Sequence, residues 1–98
     1  MKNLMQTALF ALVLSLVAGT SSAACYADYK AKQDNPLRLH YGVIKLPDAA
    51  CGDRDQASAL VAKRVGSASW KLLSIISLFD ESGLDQRKTS AGKFFLRF

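Results

Sequence analysis

Residues 57–79 read ASALVAKRVGSASWKLLSIISLF, and the fold follows from how that run is divided. In its first half Ala57, Leu60, Val61 and Val65 fall at helical spacing, with Ala68 one turn further. Lys63 and Arg64 lie near the end, where the helix dipole favours cations. Gly66 is placed to stop the helix in the left-handed conformation. The second half, WKLLSIISLF over residues 70–79, is entered through the only tryptophan, Trp70. It carries large residues on both faces of a strand: Trp70, Leu72, Ile76 and Leu78 on one, Leu73, Ile75 and Phe79 on the other. Two apolar faces predict a central or doubly covered strand, or an interface where one face lacks a cover. Trp70 is expected to anchor the helix–sheet junction, with stacking on a ligand as the alternative.

Upstream, Asp53 with Gln56 three residues later makes a capping-box pattern, and Asp55 adds negative charge to the first turn. Residues 37–46, LRLHYGVIKL, alternate Leu39, Tyr41 and Val43 against Arg38, His40, Gly42 and Ile44 before Pro47, which predicts a strand. Residues 25–36 are polar and end at the turn signal Asn35-Pro36; they read either as one helical turn near Tyr26–Lys32 or as an irregular arm. Downstream, residues 80–91, DESGLDQRKTSA, read as a long polar connection. It would present Asp80, Glu81, Asp85, Gln86, Arg87 and Lys88 to a partner, or simply be solvated. Residues 92–98, GKFFLRF, alternate Phe94, Leu96 and Phe98 against Lys93, Phe95 and Arg97 and predict a closing strand. The expected class is α+β: one helix on a three-stranded, mostly antiparallel sheet in the order β-α-β-β, with the last strand between the other two.

The amino terminus carries Lys2, an apolar run from Leu4 to Ala18 and small residues ending in Ser21-Ser22-Ala23, the pattern of a secretion signal. Cleavage is expected after Ala23, or after Ala24. The strongest apolar stretch, Ala8 to Ala18, is 11 residues long, against about 20 for a spanning helix. The chain therefore divides into a leader at 1–23, an arm at 24–37 and a small domain at 38–98. Without Lys2 the cationic side chains number 12 against 8 acidic ones, a formal charge of +4. They are scattered, which suits solubility and a loose attraction to anionic envelope surfaces. No aromatic–basic platform for nucleic acid is visible, and an exported protein is expected to meet none.

Cys25 and Cys51 both survive cleavage, and an even count with export favours a disulfide. A chain of this size buries a modest core, so a covalent staple is physically useful. An alternative is acylation of Cys25, which directly follows Ser22-Ala23-Ala24 in the manner of a lipoprotein. A catalytic dithiol lacks the Cys-x-x-Cys spacing. A metal site would need His40 to join both cysteines, with no paired spacing among them.

The motifs Tyr41-Gly42-Val43-Ile44, Val65-Gly66-Ser67-Ala68-Ser69-Trp70-Lys71-Leu72-Leu73-Ser74 and Phe95-Leu96-Arg97 together resemble the domain of unknown function 4177 family. In those small domains a tyrosine-rich strand leads to a helix ending in leucine-glycine. A glycine-tryptophan entry into an aliphatic strand follows, then a strand ending in phenylalanine-leucine-basic. Ser69 stands where the family has glycine, and Val65 where it has leucine. The resemblance spans residues 41–98 and implies an architecture without an agreed chemistry.

With one histidine and no histidine–carboxylate, nucleophile-elbow, phosphate-loop or metal-ligand motif, no catalytic residue, cofactor or metal is expected. Nothing selects Asp80, Glu81 or Asp85 for acid–base work over solvation. The expected function is an exported, periplasmic or extracellular binding module of the cell envelope, facing an unidentified protein or a second copy of itself. A lipoprotein or a small enzyme is the alternative. Membrane contact is expected only through the leader before cleavage.

Overall fold

The computed structural model describes residues 25–98. The leader and its cleavage site lie outside the described residues. Strands β1 (Cys25–Gln33), β2 (Arg38–Leu46) and β3 (Lys71–Asp80) form one antiparallel sheet in the order β2-β1-β3. Helix α1 (Arg54–Gly66) packs on one face and the shorter α2 (Asp85–Ala91) on part of the other. The α+β class, the three-stranded sheet, the packed helix and the Cys25–Cys51 bond are as expected. The origin of the third strand differs.

That strand is the segment read as an arm. β1 lies at the centre of the sheet, with Tyr26, Ala27, Asp28, Tyr29 and Ala31 all buried. Ala27, Tyr29 and Ala31 face α1, while Tyr26 and Asp28 face α2. A strand buried on both sides has no apolar–polar alternation to display, and its alanines and aspartate argue locally against a strand. Tyr29 sits directly across from Gly42 of β2, and a Cβ at Gly42 would come within 2.5 Å of the Tyr29 hydroxyl. Glycine here provides the space in which the tyrosine ring lies.

The residues expected to close the sheet, 92–98, do not form a strand. They make a 3-10 turn at Gly92–Phe94 and then run along the outer rim of β2, where Leu96 N–H donates to Val43 O at 2.8 Å. Leu96 takes a φ of 54°, a left-handed value that breaks an extended run. The tail divides across the rim: Phe95 joins Tyr26 and Val43 on the α2 side, and Phe98 packs with the cluster beneath α1. The place expected for a final strand, between the other two, belongs to β1.

β3 is an edge strand, not a central one, and it carries two bulges. Tyr29 pairs with Ile75 although Asp28 pairs with Ser77, and Ala31 pairs with Leu72 although Lys30 pairs with Ser74. Ile76 and Leu73 are the extra residues, and both are exposed. Each bulge resets the alternation, so Leu72, Ile75 and Leu78 share the core face in place of the even-numbered set. Both sheet edges are partly capped by arginine. Arg54 donates to Ile75 O on β3, and Arg64 donates to Lys45 O on β2 at 2.7 Å. Occupied edge carbonyls discourage pairing with other chains.

α1 starts as predicted, with the Asp53 carboxylate accepting from the N–H groups of Asp55 and Gln56. Ala57, Val61 and Val65 are its buried stripe, and Ala68 is exposed. Its end differs. Gly66 is not left-handed; the chain makes a further turn, and the left-handed position falls to Ser69 at φ 69°. Trp70 N–H then bonds Val65 O at 3.0 Å and Ser69 N–H bonds Gly66 O at 3.0 Å, which is the Schellman pattern. The extra turn delivers Trp70 to the start of β3, packed against the core cluster.

The disulfide joins the first residue of the central strand to the turn before α1, with Cα atoms 5.9 Å apart. Its sequence separation of 26 residues corresponds to roughly 3–4 kcal/mol in the chain-entropy description. An acylated Cys25 and this bond exclude each other, since both use the same sulfur.

Serine at a left-handed position is strained relative to glycine. Ser69→Gly is therefore expected to raise stability by about 0.5–1 kcal/mol in urea unfolding, and Ser69→Val to lower it by more than that. A Ser69→Gly protein no more stable than the parent would show that this turn carries no strain.

Candidate functional site

Two groups of polar and aromatic side chains distinguish the molecule, one on each face of the sheet. On the α2 side the centre is Asp28, 4% exposed. Its Oδ1 accepts from the Ser77 N–H at 2.8 Å and the Ser77 hydroxyl at 2.6 Å. Its Oδ2 accepts from the Tyr41 hydroxyl at 2.8 Å and from Arg87 Nε at 3.0 Å. Burial alone would push the carboxyl up, but Ser77, Tyr41 and Arg87, with the charge of Arg87, hold it below its ordinary 3.8. Tyr41 is pushed up to about 12 by burial and by its bond to the carboxylate. Arg87 also lies over the Phe79 ring at 3.9 Å and donates to Gly83 O at 2.7 Å.

Asp28 therefore pins β1, β2, β3 and α2 at one point. Each oxygen of the carboxylate accepts two hydrogen bonds.

The connection expected as an interaction loop is thus largely folded. Asp80 caps the turn Glu81–Gly83 by accepting from Ser82 N–H at 3.0 Å, and Ser82 holds its carboxyl below the ordinary value. Arg87 turns inward. Asp80, Glu81, Asp85, Gln86 and Lys88 remain on the surface. A seven-residue helix whose apolar contacts come from Ala91 and the preceding Leu84 has no stripe long enough to be read from sequence.

On the α1 side, at the end of the sheet where β1 turns into β2, His40 is enclosed by rings. Phe94 stacks on it with centroids 3.7 Å apart, Trp70 meets it edge-on at 4.2 Å, and Phe98 and Tyr29 stand at 6.1 Å and 5.3 Å. Its Nε2 shares a hydrogen bond of 2.9 Å with the Tyr29 hydroxyl, and its buried Nδ1 has no partner. Burial, helped by the charge of Lys93, pushes the imidazole down to about 4. Burial pushes the Tyr29 phenol up to about 12. Both shifts favour the neutral forms, so the His40–Tyr29 contact is a hydrogen bond between uncharged groups near neutral pH.

Beside this stack lies an open groove of about 270 Å³, walled by Trp70, Phe94 and Phe98 and rimmed by Arg38, Lys93 and Arg97. Gln33 and Ala68 complete the lining, which contains no acidic side chain. Lys93 and Arg97 stand over the Phe94 ring at 5.4 Å and 5.8 Å. Among the described residues the ion pairs are Lys32–Asp34 and Arg87–Asp28, and none of the three rim cations takes part in one. Of the residues singled out from sequence, Trp70 belongs to this groove, while Cys25, Cys51 and Gly66 serve the framework. Arg38, His40, Lys93, Phe94, Arg97 and Phe98 were not foreseen as a group, because tertiary folding brings residue 38 beside residues 93–98. The available signal was the clustering of three phenylalanines with two cations in KFFLRF.

No family model, curated protein or solved structure matches this chain.

Removing Arg87 strands a buried carboxylate. Arg87→Ala is expected to cost about 3–5 kcal/mol in chemical unfolding. In the Asp28→Asn background the same change should cost clearly less, and equal losses in both backgrounds would dissolve the pairing.

His40 gives a separate pH signature. Its folded pKa lies below its ordinary 6.5, so its contribution is complete above pH 6.5 and is lost as pH falls towards about 4. Stability should drop by up to about 1.4 kcal/mol per pH unit in that window. The Asp28 contribution disappears only as pH falls below 3.8. Thermal unfolding of His40→Phe should lack the upper slope; a slope left unchanged would place the titration elsewhere.

Proposed function

We propose that this chain is an exported binding module of the cell envelope whose groove between Arg38, Lys93, Arg97 and the Trp70–Phe94–Phe98 wall receives an anionic group. The carrying observation is the combination of three cations outside any ion pair with three aromatic rings around one opening. Cations grouped on a low-dielectric wall attract anions more strongly than the same charges spread in water. Arginine adds planar donors suited to phosphate and carboxylate. Export rests on the leader-like amino terminus, and a Cys25–Cys51 bond is compatible with an oxidising compartment.

The reading is tested with pyrophosphate as probe, followed by Trp70 fluorescence and by NMR shifts of the Trp70 and Phe94 side chains. Saturable shifts confined to the groove, weakening with added salt and lost in Arg38→Ser/Arg97→Ser, are the expected result. Shifts spread evenly over the surface, or retained in the double variant, would remove the groove from consideration.

A further inference from the structure

The groove opens on the end of the molecule that also holds most of the exposed large apolar side chains. Leu37, in the turn between β1 and β2, and Leu39, at the start of β2, are each 66% exposed. Leu73, the bulge residue of β3, is 49% exposed and lines a second hollow with Leu39, Lys30 and Tyr41. This part of the sheet lies beyond the cluster covered by α2. The same end carries Lys71, in register with Lys32 of β1, in addition to the three cations of the groove. Its one acidic side chain is Asp34, held by Lys32 at 3.3 Å.

Leucines this exposed gain nothing from water, and cations without partners gain little from one another. A surface that takes both at once has apolar depth behind a layer of negative charge. We infer that the hairpin end docks on an anionic phospholipid surface, with Leu37 and Leu39 entering the interfacial layer and Arg38, Lys71, Lys93 and Arg97 meeting the phosphates. Trp70, half-buried at the rim, has the amphipathic character that suits the headgroup level. The inference rests on the anion-binding reading of the groove and names its partner class. It adds a contact made by the folded domain to the one expected of the leader.

The test is flotation of the exported protein, disulfide intact, with vesicles of phosphatidylglycerol and phosphatidylcholine, against vesicles of phosphatidylcholine alone. Binding to the anionic vesicles only, reduced by salt and accompanied by a blue shift of Trp70, is expected. Leu37→Ser/Leu39→Ser should weaken vesicle binding by roughly tenfold or more while leaving the pyrophosphate shifts intact. Arg38→Ser/Arg97→Ser should weaken both. Equal flotation with neutral vesicles, or flotation indifferent to the leucine substitutions, overturns the inference. Pyrophosphate binding without flotation overturns it and leaves the groove reading standing; loss of both removes both. Saturable binding of polyglutamate without flotation would assign the surface to an acidic polypeptide, and would equally overturn it.

Discussion

The Asp28 carboxylate is the constraint on which the remaining structure depends. Placing a charge in the interior costs several kcal/mol, and the cost is offset only when all its donors are in place. Those donors come from three different elements: Tyr41 on β2, Ser77 on β3 and Arg87 on α2. A partial set would leave the ion under-solvated, so the arrangement is close to all-or-none. It fixes β1 between its neighbours. It also explains the bulge at Ile76, which lets Ser77 face Asp28 while Ile75 still faces the core with Tyr29.

The two faces of the sheet are used differently. Beneath α1 the packing is aliphatic and small, with Ala27, Ala31 and Ala57 fully buried beside Val61 and Val65. Towards the hairpin this core grades into the aromatic enclosure of His40, where one imidazole nitrogen stays unpaired. The opposite face is half polar network, half open surface. A domain this small has little apolar material to divide between two faces. The disulfide ties the end of the sheet away from the groove, so the exposed and charged end is supported by a rigid frame.

What could be read from the amino acids was what repeats locally. The capped start of α1, the alternation of β2 and the location of β3 all express a pattern within about ten residues. β1 escaped because Asp28 looks like a solvent-facing residue until the carboxylate's partners are known, and those lie up to 59 residues away. The parity of β3 escaped because bulges are set by what the strand must reach, not by its own composition. Residues 92–98 carry a true alternation that the fold uses otherwise, dividing the phenylalanines between two sides of one strand. The Ser69 turn has a related lesson. Glycine is the residue that signals a left-handed helix stop, so Gly66 drew the reading, whereas serine at position 69 takes that conformation.

The tail along the rim of β2 has a consequence for how the protein ages. Phe95 and Leu96 cover an edge whose backbone would otherwise be free to accept a neighbouring strand. A protease that clipped the chain after Lys93 would strip Phe94 from the imidazole and bare that edge together. The trimmed product would keep its sulfur cross-link and much of its sheet, yet it would be adhesive towards copies of itself. Intactness of the last few residues thus guards solubility as much as it shapes the groove.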